Sequence, residues 1–222
     1  TFGSILPLLA ATRMVIAVEL QAHGHTSDRD APESFEQDAD DVAGLLQQLN
    51  IEKADILGFS NGGNTAMQLA TRHPQKVNRL IVASSFYKRS GMPPGFWEGM
   101  EHATFSDMPQ AYKDAFLKIN NDSAALLNMF NKDVHRMRNF KDWSDDVLKA
   151  ISVPALIISG DKDVVLAEHA VAMSRLIPNC RLAILPGEHG KYLGEITTLT
   201  NGKWEQDYVL HLIEQFLDTP GT

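Results

Sequence analysis

Ser60 lies between two glycines, in the spacing Gly58-x-Ser60-x-Gly62. A serine hydroxyl attacks a carbonyl carbon when a neighbouring base takes its proton, and this spacing is typical of a nucleophile elbow, a sharp turn between a strand and a helix. Such a turn holds the serine in a strained backbone conformation, so we expect side chains at both flanking positions to collide with the strand and the helix. The pattern is short and also fits an ordinary glycine-rich connecting turn, so its meaning depends on the rest of the chain.

Asn61 follows the serine and opens the next helical pattern. The N–H groups of a first helical turn have no acceptor within the helix and carry partial positive charge. We therefore expect the Asn61 N–H to form half of an oxyanion hole, where it would face the oxygen that becomes negative when the serine attacks a carbonyl.

A nucleophilic serine needs a base, and the base needs an acid that orients it. Two later apolar runs predict strands, at Ala155–Ser159 and Arg181–Leu185, and each ends in a loop that carries a suitable residue. The first strand is followed by Asp161 and Asp163, and the second by His189. The order serine, acid, histidine is the one expected for a parallel sheet with an elbow. The sequence therefore predicts that these groups meet at one edge of the sheet.

Two of these positions have competitors. His169 and His211 also follow the acid in the chain, but both lie in predicted helices, whereas His189 lies on a strand-end loop. Asp161 directly follows a glycine, where a carboxylate typically hydrogen-bonds the turn itself. Asp163 stands further out on the loop and can reach the ring of His189. We therefore predict His189 as the base and Asp163 as the acid.

The elements that must position these residues alternate along the chain. Short β-branched or apolar runs predict five strands: Met14–Leu20, Asp55–Phe59, Val77–Ser85, Ala155–Ser159 and Arg181–Leu185. Amphipathic patterns predict helices between and around them: 4–11, 35–49, 61–72, 167–177 and 203–217. Ser34 is predicted to cap the second helix, with Gln37 in capping-box position. This alternation indicates an α/β fold with a doubly wound, mostly parallel sheet that helices cover on both faces.

Residues 86–150 break the alternation. They contain several helical patterns and no convincing strand; the helices are predicted at Phe96–His102, Pro109–Asn120, Ser123–Arg138 and Ser144–Ala150. A helical insertion between two strands predicts a cap over one edge of the sheet, and ligands bind at the carboxyl edge of such sheets. We therefore divide the chain into a core of residues 1–85 and 151–222 and a helical cap of residues 86–150.

Composition narrows the possible partners. The 222 residues carry a formal net charge of −8 and no stripe of lysine and arginine, which argues against nucleic acid and anionic membrane surfaces. No apolar run approaches the ~20 residues of a membrane span. The single cysteine excludes an internal disulfide and fits a reducing compartment. We expect a cytoplasmic protein that acts on a small molecule.

Metal and cofactor chemistry have little support in the sequence. The spacing His23-x-His25 is too short for two ligands on one helix face. We therefore expect neither a metal nor a cofactor, and we predict that both histidines pack within their loop.

The chain resembles the α/β-hydrolase superfamily over nearly all of its length. The matching stretches are Gly58–Gly63, Gly160–Asp163, Pro186–His189 and the loop Glu19–Thr26, in which Ala22 replaces the family's first glycine. The resemblance implies an α/β-hydrolase fold and a serine hydrolase with a helical cap. It also places the acid three residues after the strand-end glycine, which again favours Asp163.

The family has a further strand before Ser4, and that strand ends in a His-Gly loop that supplies the second oxyanion-hole N–H. Without such a strand the sheet would have a bare edge beside the elbow strand. We therefore expect the natural protein to carry additional N-terminal residues.

These observations predict a serine hydrolase in which Ser60, His189 and Asp163 form a triad. Its substrate is predicted to be a small or medium hydrophobic carboxylic ester, hydrolysed through an acyl-enzyme. Cleavage of a C–C bond, lactone hydrolysis and perhydrolysis use the same triad, and the sequence does not separate them. A binding protein that keeps the fold without catalysis is the alternative outside enzymes.

Overall fold

Four parallel strands form the centre of the molecule. The computed structural model describes residues 2–204 and 208–219. The strands, in chain order, are β1 (Ala54–Phe59), β2 (Val77–Ala83), β3 (Ala155–Gly160) and β4 (Cys180–Leu185). They lie side by side in that same order and all run parallel. Four of the five predicted strands are thereby confirmed to within about two residues at either end, as is the predicted α/β architecture.

The fifth predicted strand, Met14–Leu20, is wrong in this structure. The segment has no regular secondary structure and pairs with no strand in the described part of the chain. Its side chains are not buried either, since Met14 is 79% exposed and Val15, Ile16 and Val18 also face solvent. A β-branched run becomes a buried strand only where a neighbouring ladder accepts its hydrogen bonds. The described sheet ends at β1, whose single described neighbour is β2.

Nine α-helices surround the sheet within the described residues. They are α1 (Leu6–Leu9), α2 (Phe35–Gln48), α3 (Asn61–Arg72), α4 (Phe96–His102), α5 (Gln110–Ile119), α6 (Ser123–Arg138), α7 (Asp145–Lys149), α8 (Ala167–Leu176) and α9 (Tyr208–Asp218). None of them is long and apolar enough to cross a membrane. The last was predicted to begin at Lys203, but Lys203 instead pairs with Thr200 in a short antiparallel bridge, and 205–207 lie outside the described residues.

One layer of helices packs on each face of the sheet, because the side chains of each strand alternate between the two faces. Leu80 and Val82 of β2 join a core with α2, α3, α7 and α8. Ile81 and Ala83, one residue on in each case, join a second core that contains Tyr192 and the apolar face of α9. Both cores meet the carboxyl ends of the strands, where the predicted catalytic residues lie.

Local signals explain where α2 begins. The Ser34 hydroxyl accepts a hydrogen bond from the Gln37 N–H at 3.1 Å, as predicted for an N-cap. The Gln37 side chain does not complete a capping box, because it donates to Asp41 instead.

The segment between β2 and β3 is helical, as its sequence predicts, and it contacts the core at several points. An aromatic cluster that includes Phe86, Trp97 and Phe140 packs against Phe35 of α2. The last helix of the segment, α7, packs against α3 and α8 and buries Leu148 completely in the core.

Candidate active site

Ser60 joins β1 to α3 in a strained turn. Its φ is +53°, a value that non-glycine residues rarely adopt. A Cβ on Gly58 would lie 2.2 Å from the Gly62 carbonyl oxygen, so only glycine fits there. The predicted collision at Gly62 is wrong, because a Cβ at that position has open space around it. The tight position after the serine is Gly63, whose Cβ would lie 2.6 Å from the Cβ of Ser85.

The structure brings Ser60, His189 and Asp163 into one line. Nε2 of His189 lies 3.1 Å from the Ser60 hydroxyl oxygen, and Nδ1 lies 2.6 Å from Oδ1 of Asp163. A carboxylate can only accept, so Nδ1–H is the donor and Nε2 of the neutral ring accepts from the serine. The Asp163 side chain is fully buried, whereas the His189 side chain is 25% exposed. The three groups come from the carboxyl ends of β1, β3 and β4.

The Asp163 carboxylate is surrounded by donors. Oδ1 accepts from the Val165 N–H at 3.2 Å as well as from His189, and Oδ2 accepts from the Gly160 N–H at 3.2 Å and from the Ser84 hydroxyl. Burial alone would raise the pKa of Asp163, but the hydrogen bond from His189, with the bonds from Ser84 and Val165, holds the pKa below its ordinary value. Asp163 is therefore ionised and fixed in orientation.

Ser84 and Tyr192 were missed by the sequence reasoning. Ser84 follows β2 and has a φ of +49°, and its hydroxyl contacts both Asp163 and, at 2.6 Å, the Tyr192 hydroxyl. The pair Ser84-Ser85 at the end of an apolar strand was the available signal, since hydroxyls in that place end up at the carboxyl edge of the sheet. Nothing near Tyr192 in the sequence indicated its contact.

The residues next to Ser60, His189 and Asp163 have specific contacts or positions. Asp161 accepts from the Gly187 N–H at 2.7 Å, so it braces the loop that carries His189, as expected for a turn carboxylate. The ring of Phe59 packs on the His189 ring with centroids 4.7 Å apart. Asn61 is the first residue of α3, so its N–H is one of those without an acceptor inside the helix.

The four other histidines weighed in the sequence lie outside the line of Ser60, His189 and Asp163. His169 is buried, and its Nε2 accepts from the Tyr87 N–H at 3.2 Å; burial lowers the pKa of His169 to about 4. The side chain of His211 is 85% exposed. His23 contacts Asp133 at 3.2 Å, and His25 contacts Glu19 at 3.0 Å. No group of three or more acidic, histidine or cysteine side chains within residues 2–204 and 208–219 is placed to hold a metal ion.

Comparison with known proteins supports the fold. A family model described as alpha/beta hydrolase fold matches residues 2–121. The chain belongs to the alpha/beta hydrolase fold family. A hydrolase of this fold from Pseudomonas aeruginosa PA01, solved by crystallography, superposes with a TM-score of 0.70 at 23% identity, over 96% of this chain and 83% of that one.

Two relatives are similar in sequence to parts of this alpha/beta hydrolase chain. Serine hydrolase BPHL from Homo sapiens is 27% identical over 190 residues, which cover 81% of this chain and 64% of that protein. The 2-hydroxymuconate semialdehyde hydrolase of Pseudomonas sp. (strain CF600) is 41% identical over 83 residues, which cover 36% of this chain and 29% of that protein. The chain therefore spans less than two thirds of the length of either relative.

Proposed function

We propose that the protein is a serine hydrolase that cleaves a small or medium hydrophobic carboxylic ester. The observation that carries the proposal is the unbroken line from Asp163 through His189 to the hydroxyl of Ser60, with distances of 2.6 and 3.1 Å. A serine becomes a nucleophile when a base within hydrogen-bond reach takes its proton, and the base is effective when a carboxylate holds its tautomer. Both conditions are met in this site.

The reaction has two halves. Ser60 Oγ attacks the ester carbonyl carbon while Nε2 of His189 takes its proton, and the buried Asp163 stabilises the imidazolium that forms. The imidazolium then gives its proton to the departing alkoxide, which leaves as an alcohol, and the acyl group remains bonded to Ser60 Oγ as an acyl-enzyme. Water, deprotonated by the same His189 nitrogen, releases the acid and returns the proton to the serine oxygen.

The Asn61 N–H is proposed as one donor to the oxyanion of the tetrahedral intermediate. It stands one residue beyond the nucleophile at the start of a twelve-residue helix, where an unpaired N–H and the helix dipole both favour negative charge. The strained φ of Ser60 supports this assignment, because strain of this kind is found where a side chain is held in a reactive position.

We further propose that residues 86–150 act as a cap over the site. Helix α5 packs against the turn Ile196–Thr198, which follows His189 closely in the chain. On the other side, Lys132 of α6 donates to Asp28 and to the carbonyl oxygen of Arg29, at 2.6 and 2.8 Å. The helical segment thus contacts loops on two sides of the strand ends, and the aromatic and methionine side chains that it carries favour an apolar acyl group.

An ester requires fewer groups than the other reactions open to this triad. An alkoxide leaves once His189 protonates it, whereas cleavage of a C–C bond also needs groups that stabilise a carbanion. Carbon–carbon cleavage is the second candidate, favoured by the local 41% identity to 2-hydroxymuconate semialdehyde hydrolase. Turnover of a meta-cleavage diketone in preference to every ester offered would support that candidate instead.

The test is steady-state hydrolysis of p-nitrophenyl acetate, butyrate and octanoate by the wild type and by Ser60→Ala. We expect turnover by the wild type, a preference for one chain length, and a fall in kcat of roughly 10⁴-fold or more in the variant. Ser174→Ala is the matched control, because Ser174 lies on α8 and donates only to the Val171 carbonyl oxygen. Equal rates in wild type and Ser60→Ala would overturn the proposal.

A further inference from the structure

Two buried hydroxyls lie behind the carboxylate of Asp163. We propose that Tyr192 and Ser84 form a hydrogen-bonded relay that positions Asp163 for His189, and this inference rests on the proposed hydrolase function. Neither residue contacts Ser60, so both are positioning residues rather than catalytic ones.

The direction of the relay follows from counting protons. Asp163 is ionised and can only accept, so the single proton of the Ser84 hydroxyl goes to Oδ2 of Asp163. The Ser84 oxygen lies 2.6 Å from the Tyr192 hydroxyl and has no second proton to give, so Tyr192 is the donor between them. Because the phenol has one proton, the Ile158 carbonyl oxygen, 3.2 Å from the same tyrosine hydroxyl, is the competing and more distant acceptor of that proton.

The relay is enclosed on all sides. Ser84 is 1% exposed and Tyr192 is fully buried, so solvent does not compete for these protons. The Ser84 N–H donates to the Ile158 carbonyl oxygen at 2.8 Å, which ties the strained residue to β3. A non-glycine residue at a φ of +49° costs free energy and persists only where its surroundings hold it there. Here that conformation aims the hydroxyl at the carboxylate.

As a consequence, the two carboxylate oxygens of Asp163 have different partners. Oδ2 is held from behind by Ser84 and by the Gly160 N–H, while Oδ1 faces Nδ1 of His189. Loss of the Ser84 proton would leave Oδ2 with the Gly160 N–H at 3.2 Å and the Ser159 hydroxyl at 3.5 Å, so the carboxylate would be held less firmly beside the imidazole. Tyr192 affects Asp163 only through Ser84, because its hydroxyl contacts Ser84 and Ile158 in the described structure.

The experiment is a double-mutant cycle on ester hydrolysis with Ser84→Ala, Tyr192→Phe and the double variant. A hydrogen bond to a charged group supports an expected fall in kcat of about tenfold for Ser84→Ala, with KM unchanged, and a smaller fall for Tyr192→Phe. The double variant is expected to match Ser84→Ala, because Tyr192 has nothing left to act through. A merely structural role would make the two effects multiply.

Tyr87→Phe is the matched control. Tyr87 is also a buried tyrosine whose hydroxyl donates to a carboxylate, that of Asp145 at 3.0 Å, and it takes no part in the triad. We expect its kcat to equal that of the wild type. Unchanged kcat in both single variants of an active enzyme, or multiplicative effects in the double variant, would overturn the relay alone. Absence of turnover in the folded wild type would overturn the proposed function and the relay with it.

Discussion

Carboxylates in two regions of this protein differ in their electrostatics. The first is Asp163, held among donors at the carboxyl ends of the strands. The second is the Arg136 cluster, defined as Glu33, Asp38, Asp133, Arg136 and His23, which joins α6 to α2 and to the loop before it. The side chains of Asp163, Glu33 and Asp38 are all buried, so the difference between their pKa values must come from the donors around each carboxylate.

Arg136 cannot satisfy all of its carboxylates. Its guanidinium reaches Asp38 at 2.8 Å and Asp133 at 2.5 Å, but Glu33 only at 3.6 Å. Neither carboxylate oxygen of Glu33 has a hydrogen-bond donor in the described structure, although its side chain is 1% exposed. A buried carboxylate without donors is costly to ionise.

The pKa values follow the donors. Burial, together with the charge of Asp133, raises the pKa of Glu33 to about 7. Burial also raises the pKa of Asp38 despite the nearby Arg136. Burial acts in the same direction on Asp133, but the contacts of its two oxygens with His23 and Arg136 hold its pKa below the ordinary value. For Asp163 burial acts in the same direction, yet bonds from His189 and Ser84 leave its pKa below the ordinary value. This fold therefore keeps a carboxylate ionised where it supplies donors to both oxygens.

The largest expected effect concerns activity, and it separates the two groups. Asp163→Asn removes the acceptor that fixes the tautomer of His189, so we expect kcat to fall by roughly 10³–10⁴. Asp133→Asn, the matched change in the Arg136 cluster, should leave kcat within about threefold. Ester hydrolysis by both variants, with circular dichroism to check folding, tests this. Equal losses of kcat would contradict the distinction between the groups.

The next effect concerns stability. Arg136→Met leaves the buried Glu33 and Asp38 without their nearest cation, although His23 stays beside Asp133. Breaking a buried ion pair in this way costs about 3–5 kcal/mol. We expect urea unfolding to show that loss.

Arg138→Met is the control for this change, since Arg138 lies on the same helix and donates only to the carbonyl oxygens of Met100 and Ala103. It should cost about 1 kcal/mol. If the two variants unfold at the same urea concentration, the Arg136 cluster does not support the fold as described.

A pH-dependent effect follows from Glu33. Its pKa is raised from 4.5 to about 7 in the folded protein, so the folded state keeps a proton that the unfolded chain releases, and this group lowers stability as the pH rises through that interval. Glu33→Gln does not titrate. The stability of Glu33→Gln relative to the wild type should therefore rise between about pH 5 and pH 8, by an amount of order 1 kcal/mol or more. Thermal unfolding at both pH values measures it, and a constant difference would refute the assignment.

The smallest effect is expected at Asp161. Its Oδ1 accepts from the Gly187 N–H, and an asparagine amide oxygen can accept the same bond. Asp161→Asn should therefore change kcat by less than about twofold, in contrast to Asp163→Asn. A large fall in kcat would return Asp161 to the place of the acid.

The triad could be predicted from the sequence because the prediction depended on a single rule. The carboxyl ends of parallel strands meet at one edge of the sheet. Ser60, Asp163 and His189 each follow a recognisable strand, so their meeting needed no knowledge of packing. Ser84 and Tyr192 were missed because their contact depends on a strained turn and on how a loop packs beneath it. The Arg136 cluster joins Arg136 to Asp38 across 98 positions, and no local pattern marks such a pair.

The prediction of a buried strand at Met14–Leu20 was wrong because it rested on local composition alone. Its composition has the right local propensity, but propensity does not supply a neighbouring ladder. The capping box predicted at Gln37 is incomplete for a similar reason. The Gln37 side chain donates to Asp41, a partner that is not part of the capping-box pattern.

The most direct test of the central claim is peptide mapping by mass spectrometry after reaction with a fluorophosphonate. The reagent phosphonylates a serine only where a base activates the hydroxyl. We predict a single adduct on Ser60 in the wild type and its loss in His189→Ala, with the fold of that variant intact by circular dichroism. An unmodified wild type, or an adduct that forms equally well without His189, would contradict the claim that His189 activates Ser60 as the nucleophile.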